Sequence, residues 1–179
     1  MKRRNLLGLA GAALLAGCGF QLRKAPDFAF STIVINAPAS SPLAAELRRS
    51  LAADGKVHVI DGAGAVATPP ANAASAPPNA SQITFDLLNE QREKVVVGLN
   101  STGQVTEFQL RSRIHFRVRD AQGRELVPDT ELEQHRDISF NESAVLAKEA
   151  EESLYYRDMQ TDMVQQLMRR LAAIRSLPT

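Results

Sequence analysis

Apolar positions in the first part of the chain change from a strand-like run to a helical spacing. Thr32 to Asn36 is a short β-branched run that ends at Asn-Ala-Pro, which is typical of a buried strand. Ser40 or Ser41 is suited to cap a following helix, and Gly55 is suited to end it. Between them the apolar residues recur at every fourth position: Leu43, Leu47 and Leu51.

A second short strand is predicted over Val57 to Ile60, directly after the helix. Strand, helix and strand joined by short connections make a βαβ unit. We therefore expect these two strands to be parallel, with a right-handed crossover.

Three longer strands follow, and their alternation of apolar and polar residues predicts an antiparallel meander. They run from Ile83 to Val97 with an irregularity near Asn89, from Val105 to Arg119, and from about Glu125 to Phe140. The second strand has the clearest alternation, with these residues on one face: Phe108, Leu110, Ile114, Phe116 and Val118.

Charged residues occupy the other face of the last two strands. A three-residue turn ending at Gly123 keeps the polar faces matched and predicts three opposite pairs: Arg119 with Glu125, Arg113 with Glu131, and Arg111 with Glu133. One interpretation of this arginine stripe is a set of cross-strand ion pairs on a solvated face. The alternative is an anion-binding wall, but the neighbouring acidic residues cancel much of the positive field and so make this interpretation weaker.

A long amphipathic helix is predicted to begin between residues 143 and 148 and to run to about Ile174. Its apolar stripe comprises Tyr156, Met159, Met163, Leu167, Leu171 and Ile174. The predicted fold is α+β: a two-layer sandwich with two helices packed on one face of a four- to five-stranded mixed, mostly antiparallel sheet.

The N-terminus has the three parts of a bacterial lipoprotein signal. Three basic residues precede a short apolar run, which ends in Leu15-Ala16-Gly17-Cys18. The only cysteine of the chain stands where diacylglycerol would be attached, so Cys18 is the predicted lipidation site. The alternative is an ordinary signal peptide followed by a stray buried cysteine. Glycine rather than aspartate at position 19 favours sorting to the outer membrane.

Composition sets the domain organisation and excludes one class of partner. We expect a signal peptide over residues 1–17, a lipidated tether over 18–30 and a single domain over 31–179. Residues 61–81 are rich in Ala and Pro and are predicted to be a flexible insertion. Without the signal the chain has 18 basic and 20 acidic residues, so a strongly basic nucleic-acid binder is excluded.

No catalytic pattern stands out in the sequence. His58, His115 and His135 are scattered, and neither a nucleophile elbow nor a phosphate-binding glycine loop is present. We therefore predict that the protein is not an enzyme and that it binds neither a metal nor a cofactor. The only covalent group expected is lipid on Cys18, as S-diacylglycerol and an N-acyl chain.

Several short motifs, taken in order, resemble the LptE family of lipopolysaccharide-assembly lipoproteins. The first is Cys18-Gly19-Phe20-Gln21-Leu22-Arg23 at the predicted mature start, and the second is Ser-Pro-Leu opening the first helix. Gly103 to Leu110 resembles the start of a family strand, and Leu146-Ala147-Lys148 and Leu167 to Leu171 resemble the last helix. The insertion after Ile60 is longer than the family pattern.

The resemblance implies an outer-membrane lipoprotein that plugs the LptD β-barrel from the periplasmic side, within its lumen, and helps to assemble it. It also implies binding of lipopolysaccharide during transport to the outer leaflet. The candidate lipopolysaccharide-binding residues are Lys148, Lys94 and Arg92, with solvated surface charge as the alternative. The alternative function is a periplasm-facing structural lipoprotein that binds peptidoglycan or another envelope protein.

Overall fold

Five strands and two helices make up the part of the chain that the structure, a computed structural model, describes: residues 27–62, 81–141 and 145–174. In chain order they are β1 (Thr32–Asn36), α1 (Pro42–Asp54), β2 (His58–Gly62), β3 (Gln82–Leu99), β4 (Val105–Asp120), β5 (Glu125–Ser139) and α2 (Val145–Ala172). The strands form one sheet in the order β2-β1-β3-β4-β5. The predicted α+β fold is confirmed, with five strands.

The sheet is mixed, as expected. β1 lies between β2 and β3 and runs parallel to both, while β3, β4 and β5 form an antiparallel meander. The parallel pairing of β1 with β2 confirms the predicted βαβ unit.

Local sequence sets both ends of α1. The Ser41 hydroxyl accepts a hydrogen bond from the backbone N–H of Ala44 at 3.0 Å, and Pro42 occupies the first turn. At the other end Gly55 has φ 69°, a left-handed conformation that costs glycine little, and its N–H donates to the carbonyl of Ala52.

Both helices pack on the same face of the sheet. A single cluster of buried residues joins Leu43, Leu47 and Leu51 of α1, Met163, Leu167 and Leu171 of α2, and Ile33, Phe85 and Phe116 of the sheet. The helical stripes and the alternation on β4 therefore predicted the core correctly. A smaller cluster of Leu110, Ile138 and Met159 continues this layer towards the hairpin tips.

A bulge in β3 changes which side chains face the helices. The register with β4 shifts between Leu87 and Asn89, where the irregularity was predicted. Before the bulge odd-numbered residues such as Phe85 face the core; after it Arg92 and Lys94 lie opposite Ser112 and Leu110, on the helix side. One extra residue in a strand inverts the faces beyond it.

The register of β4 with β5 differs from the predicted one. Arg119 does lie opposite Glu125, but Arg113 lies opposite Glu133 and Arg111 opposite His135. Two irregularities near Pro128 each add one residue on β5. Proline has no N–H to donate to the ladder, which favours a bulge there. Because the two shifts sum to two residues, the polar faces stay matched.

Two predicted boundaries also change. Phe30 is buried and Phe28 packs against the core, so the end of the predicted tether (residues 18–30) belongs to the folded domain. β2 includes Asp61 and Gly62, so it extends two residues into the predicted insertion over 61–81. The predicted signal peptide, Cys18 and residues 63–80 of the insertion lie outside the described residues.

Candidate ligand-binding site

A small cavity lies at the end of the sheet where the β3–β4 hairpin meets the start of α2. Its volume is about 60 Å³. One wall is apolar and comprises Phe108, Ile138, Phe140 and Val145. The polar lining comprises Lys94, Ser139, Lys148, Glu149 and Glu152. The structure thus brings two of the three predicted lipopolysaccharide-binding residues, Lys94 and Lys148, to one site.

Lys94 reaches the cavity because the bulge turns its side chain to the helix face. Its ammonium lies 2.6 Å from a carboxylate oxygen of Glu152 on α2. The same ammonium stands 4.4 Å from the ring centroid of Phe108, within the range of a cation–π contact. Phe108 in turn meets Phe140 edge to face, with the ring centroids 5.2 Å apart.

Lys148 reaches the cavity from the first turn of α2. Its ammonium contacts the Glu151 carboxylate at 2.8 Å and donates to the Ser139 hydroxyl at 3.1 Å. The hydrogen bond from Lys148 lowers the pKa of Glu151 below its ordinary value, because it favours the charged carboxylate. The Glu151 carboxylate is therefore charged at neutral pH.

Arg92, the third candidate, is not among the residues that line the cavity. Its guanidinium donates to the side chain of Gln160 at 2.8 Å and lies 5.5 Å from the ring centroid of Tyr156. Gln160 also donates to Glu46 of α1. Arg92 thus contributes to the contact between the sheet and the two helices.

Exposed apolar side chains gather at the same end of the molecule as the cavity. They are Val96, Val97, Leu99, Val145 and Leu146. Leu146 is the most open of them, with 82% of its surface accessible. Exposed apolar groups beside charged ones are typical of surfaces that bind a partner or an amphiphile.

The arginines of the stripe on the outer face of the sheet already contact other side chains of the protein. Arg113 contacts Glu131 at 3.0 Å and Glu133 at 2.9 Å, and Arg111 donates to Gln109 at 2.7 Å. These contacts favour the ion-pair interpretation of the stripe over an anion-binding wall.

Asp86 of β3 contacts the arginines at the other end of the stripe. This buried carboxylate accepts hydrogen bonds from Arg117 at 3.0 Å, from Arg119 at 2.8 and 3.1 Å, and from Asn36 at 2.8 Å. The partner of Arg119 is thus Asp86, although Glu125 lies opposite it in the ladder.

Lys94 and Lys148 were predicted from the sequence as candidates, but the side chains that surround them were not. The spacing of Lys148 and Glu151, three residues apart on a helix, does indicate their contact. Nothing in the sequence pairs Lys94 with Glu152, because that contact depends on how α2 crosses β3. Within residues 27–62, 81–141 and 145–174, no group of three or more His, Cys, Asp or Glu side chains is arranged to hold a metal ion.

A comparison with models of known protein families identifies a match over residues 30–171, most of the chain. The matching family is LptE, described as lipopolysaccharide-assembly. The chain belongs to the LptE family. The resemblance that the sequence motifs indicated is therefore confirmed. Phe30, the first matched residue, is also buried in the core. A comparison with curated proteins gave no match.

Solved structures of lipoproteins share the LptE-family fold. The chain is 31% identical to lipoprotein B of Nitrosomonas europaea, with a TM-score of 0.67, covering 87% of this chain and 91% of that one. Rare lipoprotein B of Shewanella oneidensis is 19% identical, with a TM-score of 0.61 over 79% of this chain and 94% of that one. A minor lipoprotein of Acinetobacter baumannii is 20% identical, with a TM-score of 0.60 over 83% and 96%.

None of the helices in the described part of the chain is both long enough and apolar enough to cross a membrane.

Proposed function

We propose that this LptE-family protein is an outer-membrane lipoprotein that plugs the LptD β-barrel, helps to assemble it and binds lipopolysaccharide on its way to the outer leaflet. The observation that carries the proposal is the family match over residues 30–171. Lipid on Cys18 would hold the protein to the membrane, since two or more acyl chains give stable anchoring.

The outer face of the sheet is suited to a barrel lumen. The interior of a channel-forming outer-membrane barrel is polar and wet. The arginines and carboxylates of β3, β4 and β5 form a charged face in which these side chains already pair with one another. Such a face can lie in a hydrated lumen without leaving a buried charge unpaired.

The cavity end of the molecule has the chemistry that a phosphorylated, acylated glycolipid requires. Lys94 and Lys148 supply cations for phosphate groups. The apolar wall and the exposed side chains of Val145 and Leu146 supply surface for acyl chains. A volume of about 60 Å³ is too small for a whole acyl chain, so contact along an open surface is expected.

The Lys148→Asp variant tests the proposed binding site. We expect weaker binding of purified lipopolysaccharide in a pull-down, with unchanged thermal unfolding, because the substitution places a negative charge beside the cavity at a partly exposed position. The matched control is Lys56→Asp, which makes the same charge change at the opposite end of the sheet. Equal binding by both variants and the unchanged protein would contradict the site.

A further inference from the structure

Each lysine of the cavity is already engaged by a carboxylate of the protein itself. Lys94 contacts Glu152 at 2.6 Å and Lys148 contacts Glu151 at 2.8 Å. Both glutamates belong to α2, about two helical turns beyond its start. A phosphate group that binds these lysines must therefore displace the two glutamate carboxylates or share the lysines with them.

The formal charge around the cavity does not by itself attract an anion. Two lysines stand against three glutamates, Glu149, Glu151 and Glu152, which leaves a net charge of −1. An incoming phosphate gains from the lysines only if the glutamates move away from them, since opposite charges at contact distance dominate over the more distant field.

We propose that Glu151 and Glu152 are built-in competitors that hold Lys148 and Lys94 until a phosphorylated glycolipid displaces them, so that they lower the affinity of the site for this ligand. The inference rests on the proposed function, because it assigns a regulation to the same site. Glu151 and Glu152 thus become affinity-determining residues without contacting the ligand.

The geometry favours an exchange over a collapse of the site. Each lysine has a second contact that is not acidic: Lys94 with the Phe108 ring, and Lys148 with the Ser139 hydroxyl. These contacts keep the ammonium groups in place after the carboxylates leave. The Glu151 and Glu152 side chains are 36% and 23% exposed, so a displaced carboxylate can turn into water without being buried unpaired.

Moderate affinity suits a protein that passes its ligand onward. A site with two free lysines against an apolar wall would hold a phosphorylated amphiphile and release it slowly, because most differences in affinity lie in the rate of release. Glutamates that compete for the same lysines restore the empty state and speed release.

The test uses Glu151→Gln and Glu152→Gln, singly and together, in the full protein. We expect each single variant to bind purified lipopolysaccharide about two- to fivefold more tightly, the range that a partly exposed ion pair corresponds to. Release measured by surface plasmon resonance should be slower. The matched control is Glu133→Gln, the same change of charge on the outer face, which should leave binding unchanged.

A dephosphorylated lipopolysaccharide serves as the second probe. If the glutamates compete with phosphate, the gain in affinity disappears with this ligand. Unchanged or weaker binding by the glutamine variants, with Lys148→Asp still impaired, would overturn the inference and leave the proposed function standing. If Lys148→Asp and the glutamine variants all bind like the unchanged protein, the proposed binding site is wrong and the inference falls with it.

Discussion

At the scale of single residues, Asp86 holds together the outer face of the sheet where β1, β3 and β4 meet. Its carboxylate is the shared acceptor for Arg117, Arg119 and Asn36. Gly62 of β2 lies close to this network, because a Cβ at that position would come within 1.7 Å of the Asn36 amide oxygen. A larger residue at position 62 would therefore require the Asn36 side chain, which donates to Asp86, to shift.

We predict that Asp86→Ala lowers the free energy of unfolding by about 2 kcal/mol, because it leaves three donors without their acceptor. The loss is smaller than for a fully buried pair, since the side chains of Arg117 and Arg119 are 36% and 33% exposed and water can reach them. Urea unfolding followed by circular dichroism measures it.

The control is Asp129→Ala on the same face. Asp129 is 60% exposed, and its contact with His115 spans 3.3 Å. We expect a change below about 0.5 kcal/mol, as is usual for exposed positions. If both variants lose the same amount of stability, Asp86 is not the organising residue of this face.

The sequence allowed the arginine stripe to be interpreted correctly but not the partner of each arginine. Alternation placed the arginines opposite carboxylates, and Arg113 does contact both Glu131 and Glu133. Asp86 was missed as a partner because it lies on β3. The alternation of residues predicted only pairs that lie opposite each other on β4 and β5. A long arginine side chain also reaches diagonally, beyond its opposite residue.

At the scale of elements, the bulge in β3 decides the character of the candidate site. Its position near Asn89 was predicted, but its consequence was not: the inversion that brings Arg92 and Lys94 to the helix face. Similarly, the shifts around Pro128 moved the β5 register by two residues. Period-2 patterns indicate faces well, whereas bulges depend on local backbone geometry that alternation does not encode.

We predict that deletion of Leu88, an exposed residue within the bulge, removes the contact between Lys94 and Glu152. Without the extra residue, the distal half of β3 would present its other face to α2. Carbodiimide cross-linking with mass spectrometry measures this, because the reagent joins a lysine and a carboxylate only at contact distance.

Two internal controls accompany the Leu88 deletion. The cross-link between Lys148 and Glu151 lies within one helix and should persist in the shortened protein. Leu88→Ala keeps the residue count and should keep both cross-links. A folded deletion variant that still joins Lys94 to Glu152 would show that the bulge does not orient this strand.

At the scale of the whole molecule, the described residues form a two-layer domain that separates two kinds of surface. The outer face of the sheet carries arginines and carboxylates that pair with one another. The cavity end of the molecule carries lysines beside exposed apolar side chains. The layer arrangement followed from the sequence, since the stripes on both helices and the alternation on β4 each indicated one apolar face. The ends of the domain did not: Phe28 and Phe30 read as tether but pack against the core.

The most direct test of the proposed function is co-purification of the full protein from detergent-solubilised outer membranes through an affinity tag on its C-terminus. We predict a stable complex with one large β-barrel, LptD, that survives size-exclusion chromatography at moderate salt. Recovery of the protein as a monomer free of any barrel, or bound to peptidoglycan, would contradict it.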